Sequence, residues 1–494
     1  MPRSAGNLVT PSSFLKNDTL FSIAPNTSSV SEMDFVVESV ISYPVTWALA
    51  LLAAYAVSQQ TRTYYRLQHI KGPRLAGWTD LWLIRKTWRG ETFKELDNLR
   101  EKYGPVFRIA PNFVVCCDPA EIRKLWAVRS PFDRATWYKG FRLDPPNDTL
   151  ISMCGDDDRV AYRAKFAPGY SGRGVVGIHE TVDAGIIRLS KLIDEKHIST
   201  ETEYRPCDLA RKIYGQIAFG ETLGFLDGDA DQWHYIEQSE ASLPMMRLVM
   251  PSARDPVGLR KLIEIAKAFV AKRFGPGKIE APDILEAVLQ VIAGSDTTAC
   301  TIRTALAHII TSPSLYFALI SEITTALSNG SISSPVITDA ETRSLPLLQA
   351  TLKEALRIWP PIHGIMPRVS KSDATICGVR IPAGTNVCWS ACAVLRSREV
   401  FGADGEVFRP ERWLKADKEK LSWMETVVEL AFASGRWGCL GRGIAMVEMG
   451  KVVFEVLRRR EFTVVDVERP IQNYFTGMLV QSGFWVRIEK RKLA

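Results

Sequence analysis

The sequence predicts a mainly α-helical chain with small β-sheets (α+β), in which one N-terminal transmembrane helix precedes a single large domain. Three observations support this class. An apolar segment from 284 to 310 is long enough for a central helix. Short alternating segments, VFRIA and NFVVCC between Pro105 and Cys117, have the pattern of two strands. A stretch without charge from 40 to 57 is close to the length that spans a bilayer.

Composition describes an ordinary globular protein with a large core. Of 494 residues, 46% are hydrophobic and 24% are charged. The net charge of +7 comes without long basic runs, so we expect no nucleic-acid partner. The 9 cysteines show no paired spacing, which favours reduced thiols facing a cytosol.

The N-terminal segment predicts how the chain is oriented in a membrane. Residues 1–34 are rich in Ser, Asn, Pro and Thr and form the expected lumenal tail, where Asn17 and Asn26 are candidate glycosylation sites. Residues 35–58 are the expected transmembrane anchor, with a signal peptide or a buried helix as alternatives. Basic residues follow the anchor in the linker 59–74, so the domain 75–494 is expected in the cytosol.

Further periodic segments place the other elements. We expect helices over 93–103, 119–128, 156–170, 209–225 and 347–358, and amphipathic helices over 243–274. Short strands are expected at 378–381 and 387–390. The connection between 272 and 284 is unusually short, which is either a genuine loop or a gene-model error.

Cys439 lies on a glycine-rich loop between Phe432 and Gly441, just before a helical pattern. The start of a helix favours thiolate, the form of cysteine that ligates metals, and we expect the thiol pKa to be lowered. Gly435, Gly438 and Gly441 let the backbone fold tightly around the sulfur and approach a flat ligand. The alternative is a structural cysteine in a helix-entry turn.

Two polar groups interrupt apolar helices. The segment AGSDTT, from Ala293 to Thr298, contains poor helix formers between apolar flanks, a cost that is most readily tolerated at a functional site. Ala293 and Thr297 share one helix face. Glu354 and Arg357 likewise share a face, and Arg412 follows downstream in FRPERW.

These motifs together resemble the cytochrome P-450 superfamily. F-x-x-G-x-x-x-C-x-G is similar to its haem-binding loop, and the G-R-aromatic-x-C-L-G version resembles fungal microsomal members related to pisatin demethylase. The usual loop has arginine two residues before the cysteine, where this chain has Trp437, with Arg436 one position earlier. AGSDTT resembles the family's oxygen-activation motif, and Glu354, Arg357 and Arg412 resemble its E-x-x-R and P-E-R motifs.

The resemblance assigns roles to residues. It implies haem b with Cys439 as axial iron ligand, Asp296 and Thr297 as catalytic residues that deliver protons, and a structural triad of Glu354, Arg357 and Arg412. The family's C helix carries an aromatic residue or histidine four positions before an arginine that meets a propionate; Arg163 fits that arginine, but Arg159 holds the aromatic position. Implied cofactor-binding residues are Arg163, Ala293, Gly294, Arg368, Phe432, Gly435, Arg436 and Gly441. The implied substrate cavity includes Ile362, His363, Ile365 and Met478.

The implied activity is a monooxygenase that inserts one atom of dioxygen into a small hydrophobic substrate. The sequence shows no flavin or nicotinamide fingerprint, so NADPH would supply electrons through a separate reductase at the endoplasmic reticulum membrane. The fungal resemblance suggests secondary metabolism, with a terpenoid, polyketide or indole compound as substrate. Two alternatives remain: a haem-thiolate isomerase or dehydratase that needs no reductase, and a non-enzymatic haem- or lipid-binding protein.

Overall fold

The computed structural model describes residues 44–142, 147–170, 178–200, 206–208, 281–475 and 477–491. Residues 1–59 and 60–494 form two compact units. The predicted lumenal tail, both sequons, and the segments 209–225 and 243–274 lie outside the described residues, as does most of the short 272–284 connection.

Helices dominate the described chain. They are α1 (Pro44–Arg66), α2 (Leu81–Trp88), α3 (Thr92–Tyr103), α4 (Pro119–Leu125), α5 (Asp156–Tyr170), α6 (Ile178–Lys196), α7 (Ala281–Thr311), α8 (Pro313–Ser328), α9 (Asp339–Arg343), α10 (Pro346–Ile358), α11 (Ala391–Leu395), α12 (Arg398–Phe401), α13 (Glu411–Lys415), α14 (Lys418–Val428) and α15 (Arg442–Arg459). Single 3-10 turns occupy Leu75–Gly77, Thr136–Phe141, Glu429–Phe432 and Gly435–Trp437.

Short strands form small sheets beside the helices. The strands are β1 (Val106–Ala110), β2 (Phe113–Cys116), β3 (Phe132–Arg134), β4 (Pro206–Asp208), β5 (Arg368–Ser370), β6 (Ala374–Ile376), β7 (Val379–Ile381), β8 (Asn386–Trp389), β9 (Arg460–Val464), β10 (Gln472–Phe475), β11 (Leu479–Ser482) and β12 (Trp485–Lys490). A five-stranded sheet has the order β1-β2-β8-β5-β3, and β4-β12-β9 form a second sheet. β6-β7 and β10-β11 are two-stranded.

The observed elements agree with the mainly helical prediction, with differences at their ends. α4 ends at Leu125, three residues before the predicted end at 128. α7 begins three residues earlier than predicted and runs through AGSDTT without a break. Tertiary packing decides this continuity, because a long helix buried between others tolerates a few poor helix formers.

The core is built around α7, which packs against α10 and α15. Ile302 and Leu306 of α7, Leu352 of α10 and Phe454 of α15 are fully buried in one hydrophobic cluster. α15 begins directly after the Cys439 loop, and α7 carries AGSDTT. The same packing therefore brings the two main motifs of the sequence into one region.

The N-terminal helix α1 exposes apolar side chains, among them Leu49, Leu52 and Val57. It begins at Pro44, so the first part of the predicted 35–58 anchor is outside the described residues. Among the described helices, no single one combines the length and hydropathy of a membrane span. One pair of helical segments has this length and hydropathy only when taken together, Ala293–Thr311 and Pro313–Ser328, and the pair is bent by 106°.

Candidate active site

The Cys439 loop is a tight turn that the local sequence enforces. The Cys439 amide donates to the Phe432 carbonyl at 2.8 Å and closes the loop on itself. Gly435 has φ +60°, and a Cβ there would stand 2.2 Å from the Trp126 carbonyl oxygen. Glycine is therefore required at 435 by both backbone conformation and space. The loop ends at Gly441, the residue before α15.

Cys439 lies just before α15 and is exposed as a residue, although loop atoms surround its thiol. Burial by the loop raises the pKa of the thiol, whereas the backbone amide of Gly441 and the charge of Arg163 act to lower it. The predicted net lowering of this pKa is therefore wrong for the thiol in the protein. The helix start limits the rise but does not overcome desolvation.

The AGSDTT face of α7 carries a specific hydrogen bond. The Thr297 hydroxyl donates to the Ala293 carbonyl at 2.6 Å, which fixes the side chain along the helix. The hydroxyl proton is used in this hydrogen bond, and the lone pairs of the oxygen remain available to accept a hydrogen bond from water. Within the described part of the chain, a Cβ added at Gly294 would meet no heavy atom within 4 Å. The helix thus presents a hydroxyl acceptor close to space that no described residue fills.

A carboxyl that the sequence analysis missed lies next to this face. Glu448 of α15 hydrogen-bonds the side chain of Thr298, and burial raises the pKa of Glu448 to about 8. Near neutral pH this carboxyl therefore holds a proton. The sequence carried a signal for it, since Glu448 is an acid in the apolar run of the helix that follows Cys439.

Glu354, Arg357 and Arg412 meet in the core together with Trp413, and we name these four residues the closed cluster. Glu354 binds Arg357 through two parallel hydrogen bonds, at 2.8 and 2.7 Å. Its oxygens also accept from Arg412 at 3.0 Å and from the Trp413 indole at 2.8 Å. Burial is the largest single influence and opposes ionisation, but the hydrogen bonds and charges of Arg357 and Arg412, with the Arg409 amide, together outweigh it, and the pKa of Glu354 is lowered.

Arginines from four separate segments surround the ring of Trp437. Arg134, Arg159 and Arg368 are buried, and their guanidinium carbons lie 5.1, 4.7 and 5.0 Å from the ring centroid. Arg436 lies at 5.4 Å. We name Arg134, Arg159, Arg368 and Trp437 the open cluster.

Protein oxygens satisfy only part of the open cluster. Arg134 donates to the carbonyls of Leu150 and Ile151 at 2.8 and 2.6 Å. Arg368 donates to the Tyr138 hydroxyl at 2.7 Å. No described residue accepts a hydrogen bond from Trp437 Nε1, Arg134 Nε, or Arg368 Nε and Nη2, although all four atoms are buried.

Desolvation is also severe in this cluster. Burial lowers the pKa of Arg134 to about 9, and the nearby charges of Arg159 and Arg368 lower it further, against an opposing effect of Tyr138. Buried cations are stable when an anion and hydrogen bonds compensate them. The cluster therefore has the chemistry of a receptor for carboxylate groups.

Two of the predicted cofactor-binding arginines are committed to the protein backbone. Arg163 donates to the Gly438 carbonyl at 2.6 Å and so supports the loop beside Cys439. Arg436 donates to the carbonyls of Ser130 and Phe132, both at 3.0 Å, and lies 3.4 Å from Asp133. Of the predicted propionate partners, Arg368 alone belongs to the open cluster. Arg134 is an addition that no motif indicated.

The predicted substrate residues separate into two groups. Ile362 and Met478 are half-buried and form an isolated β-bridge. His363 packs among Phe93 and Phe475, and burial lowers its pKa to about 3, so the ring is neutral. Ile365 is buried in a hydrophobic cluster with Leu96, Phe107 and Cys388.

Comparison with known proteins identifies relatives that align with most of the chain. Residues 234–484 match the family model described as Cytochrome P450. The chain is 31% identical to Cytochrome P450 monooxygenase ABA1 of Pyricularia oryzae, over 93% of this chain and 99% of that protein. It is also 31% identical to aba1 of Botryotinia fuckeliana, over 85% and 92% of the two chains. Cytochrome P450 monooxygenase gsfF of Penicillium aethiopicum is 27% identical, over 92% and 98%.

Proposed function

The chain belongs to the cytochrome P450 superfamily as a monooxygenase, and on this premise we propose that it oxidises a small hydrophobic substrate of fungal secondary metabolism. The single observation that carries this assignment to particular residues is the constrained Cys439 loop. It places one sulfur just before the start of α15, and Trp437 of the open cluster stands two residues before that cysteine.

The residues present fit a haem. The family implies a haem-thiolate cofactor, whose two carboxylates need buried donors while its iron needs one thiolate. The open cluster supplies indole and guanidinium N–H groups without an acceptor in the described chain. Cys439 is accessible on the adjoining turn. Cys439 would hold the iron, and Arg134, Arg368 and Trp437 would hold the carboxylates.

When bound, haem with a thiolate ligand supplies the redox chemistry that cleaves dioxygen. The protein's own contribution is positioning and proton supply. Thr297 accepts a hydrogen bond from a water at the open side of α7, since its own proton is held by Ala293. Asp296, half-buried beside it, relays protons from solvent. General acid–base groups placed in this way contribute about 10² to 10⁴ in rate.

The electron source is part of the proposal. Haem-thiolate monooxygenases need electrons one at a time, and we assign these to NADPH through a separate reductase, because the sequence has no nucleotide-binding fingerprint of its own. The family of fungal relatives supports a biosynthetic substrate, for which we propose a terpenoid, polyketide or indole compound.

We further propose that residues 35–58 anchor the chain in the endoplasmic reticulum membrane, with the domain 75–494 in the cytosol. The uncharged sequence from 40 to 57 supports this, as do the exposed apolar side chains of α1. Deleting residues 1–60 should release at least part of the protein from microsomes. Unchanged, carbonate-resistant retention would contradict the single anchor.

The experiment for the function compares wild type with Cys439→Ala. Reduced wild-type protein should give a thiolate-type carbon monoxide difference spectrum, and the variant should not, although both fold. Wild-type protein with reductase, NADPH and a metabolite extract should then form oxygenated product. Product formation with no reductase would favour the isomerase or dehydratase alternative, and binding with no turnover would favour a haem- or lipid-binding protein.

A further inference from the structure

We propose that Arg159 and Trp437 have exchanged places relative to the usual family pattern, with the arginine on the helix and the aromatic residue on the loop. The Trp437 indole N–H, rather than a loop arginine, then binds a haem propionate. In the usual pattern an aromatic residue stands on the helix and an arginine stands two residues before the cysteine. Here the helix α5 carries the arginine and the loop carries the aromatic ring. The inference rests on the proposed haem binding and concerns which side chains perform it.

The first support is the state of the Trp437 side chain. The indole is buried, with 4% of its surface exposed. Its Nε1–H has no acceptor in the ranges that the structure describes. A buried donor without an acceptor costs about 1–3 kcal/mol, so its retention points to a ligand that accepts the hydrogen bond.

The second support is the place that Arg159 reaches. Its guanidinium lies 4.7 Å from the centre of the Trp437 ring. It donates to the Arg436 carbonyl at 2.7 Å and to the Leu150 carbonyl at 3.1 Å. The side chain therefore crosses from α5 to the backbone of the Cys439 loop. It brings positive charge to the segment that lacks an arginine at 437.

A simpler compensation is a one-residue shift, in which Arg436 replaces the missing arginine. The contacts of Arg436 oppose this alternative. Its guanidinium donates to the carbonyls of Ser130 and Phe132 and lies beside Asp133, which also pairs with Lys371 at 2.6 Å. Arg436 thus binds the β3 segment, whereas Arg159 lies against the tryptophan.

The charges favour the same conclusion. Arg134 and Arg368 are both buried beside the Trp437 ring, and their acceptors among the described residues are carbonyls and a phenol oxygen. Two carboxylates entering this cluster would neutralise the excess charge and accept from the indole and guanidinium donors. Trp437 then serves both as a stacking surface for the guanidinium groups and as a neutral donor.

The test measures haem transfer from the purified holoprotein to excess apomyoglobin. Trp437→Phe keeps an aromatic ring but removes the N–H, and it should release haem about tenfold to a hundredfold faster, as expected for a lost hydrogen bond to a charged acceptor. Trp413→Phe is the matched control, because its N–H binds Glu354 inside the closed cluster. It should lower the unfolding temperature with little effect on haem transfer.

The exchange itself is tested with Arg159→Trp, Trp437→Arg and the double variant. The double variant restores the usual order and should lose haem more slowly than either single variant. Equal transfer rates for wild type and Trp437→Phe would overturn the proposal, as would a double variant that loses haem at least as fast as the faster single. If the exchanged variants do not fold, Trp437→Phe decides alone.

The carbon monoxide spectrum separates this inference from the function it rests on. A wild-type protein without a thiolate-type spectrum would contradict haem-thiolate binding itself. A wild type with that spectrum, combined with an unchanged transfer rate in Trp437→Phe, would contradict only the role of Trp437.

Discussion

The closed cluster and the open cluster both bury arginines, but they differ in what balances the charge. In the closed cluster, Glu354 lies between Arg357 and Arg412, and both of its oxygens accept several hydrogen bonds. In the open cluster, Arg134 and Arg368 donate to carbonyl and phenol oxygens. Further buried donors of these two arginines, and the Trp437 indole N–H, have no acceptor in the described chain. The first arrangement is complete among the described residues, whereas the second has buried donors that those residues leave without an acceptor and that we propose a haem carboxylate satisfies.

This difference separates an architectural site from a binding site. A buried ion pair contributes little net stability, but breaking it leaves an uncompensated charge in the core. A cluster of uncompensated donors costs stability until its ligand binds. Buried arginine alone is therefore no guide to function; the balance of donors and acceptors around it is.

The largest effect should come from the closed cluster. Glu354→Gln keeps the shape of the side chain but leaves Arg357 and Arg412 without their anion, and should destabilise the protein by about 3–5 kcal/mol. The measurement is the free energy of unfolding in denaturant. Glu406→Gln is the control, because Glu406 pairs with Arg398 at the surface at 3.5 Å and should cost less than about 1 kcal/mol. Equal costs for the two variants would contradict the architectural role.

A change in the open cluster should act through the cofactor instead. Arg368→Gln should speed haem release about tenfold or more, while the haem-free protein keeps its stability or gains some, because one uncompensated cation is gone. Arg357→Gln should lower the stability of the haem-free protein. Unfolding of haem-free samples and haem transfer from holoprotein measure the two effects. Similar destabilisation of both haem-free variants would erase the distinction between the clusters.

Glu448 is a half-buried acid whose carboxyl hydrogen-bonds a hydroxyl, and its effect should depend on pH. Its folded pKa of about 8 exceeds the usual value of 4.5. Its contribution to stability is therefore complete below pH 4.5 and is lost as the pH rises towards 8, because only the folded state retains the proton in this window. Glu448→Gln should flatten the decline. Unfolding curves across this pH range measure the decline for wild type and for Glu448→Gln. If the stability of both proteins changed with pH in the same way, Glu448 would ionise normally.

Thr297→Ala should leave both clusters, the haem content and the stability almost unchanged. It should instead uncouple the reaction, so that NADPH consumption releases peroxide and product formation falls by about a hundredfold or more. Asp296→Asn should slow turnover with less peroxide. Thr301→Ala is the control, since this hydroxyl donates to the Thr297 carbonyl one turn further along α7. Product and peroxide per NADPH are the readouts, and full coupling in Thr297→Ala would remove α7 from the proton path.

The sequence was informative wherever neighbours along the chain decide the structure. Helix patterns placed α5, α7 and α10, and spacing placed Glu354 and Arg357 on one face of α10. The sequence offered the glycine at 435 as a signal, but spacing along the chain could not show that the backbone there approaches Trp126 closely.

The open cluster could not be predicted in this way, because its members come from β3, α5, β5 and the Cys439 loop. Only tertiary packing brings Arg134 and Arg159 to the ring of Trp437. Packing also decides that Ile365, a predicted substrate residue, lies in a hydrophobic cluster with Leu96 and Phe107. Desolvation reversed the expected shift of the Cys439 pKa, since local helix position says nothing about burial.

The most direct test of the difference between the clusters is a titration of haem-free protein with haem and with haem dimethyl ester, which lacks the two carboxylate charges. If the open cluster is a receptor for those carboxylates, wild type should bind haem at least about tenfold more tightly than the ester, since a hydrogen bond to a charged group contributes about 1.5–3 kcal/mol. Arg368→Gln should reduce this preference and Glu406→Gln should retain it. Equal affinity of wild type for haem and its ester would contradict the account.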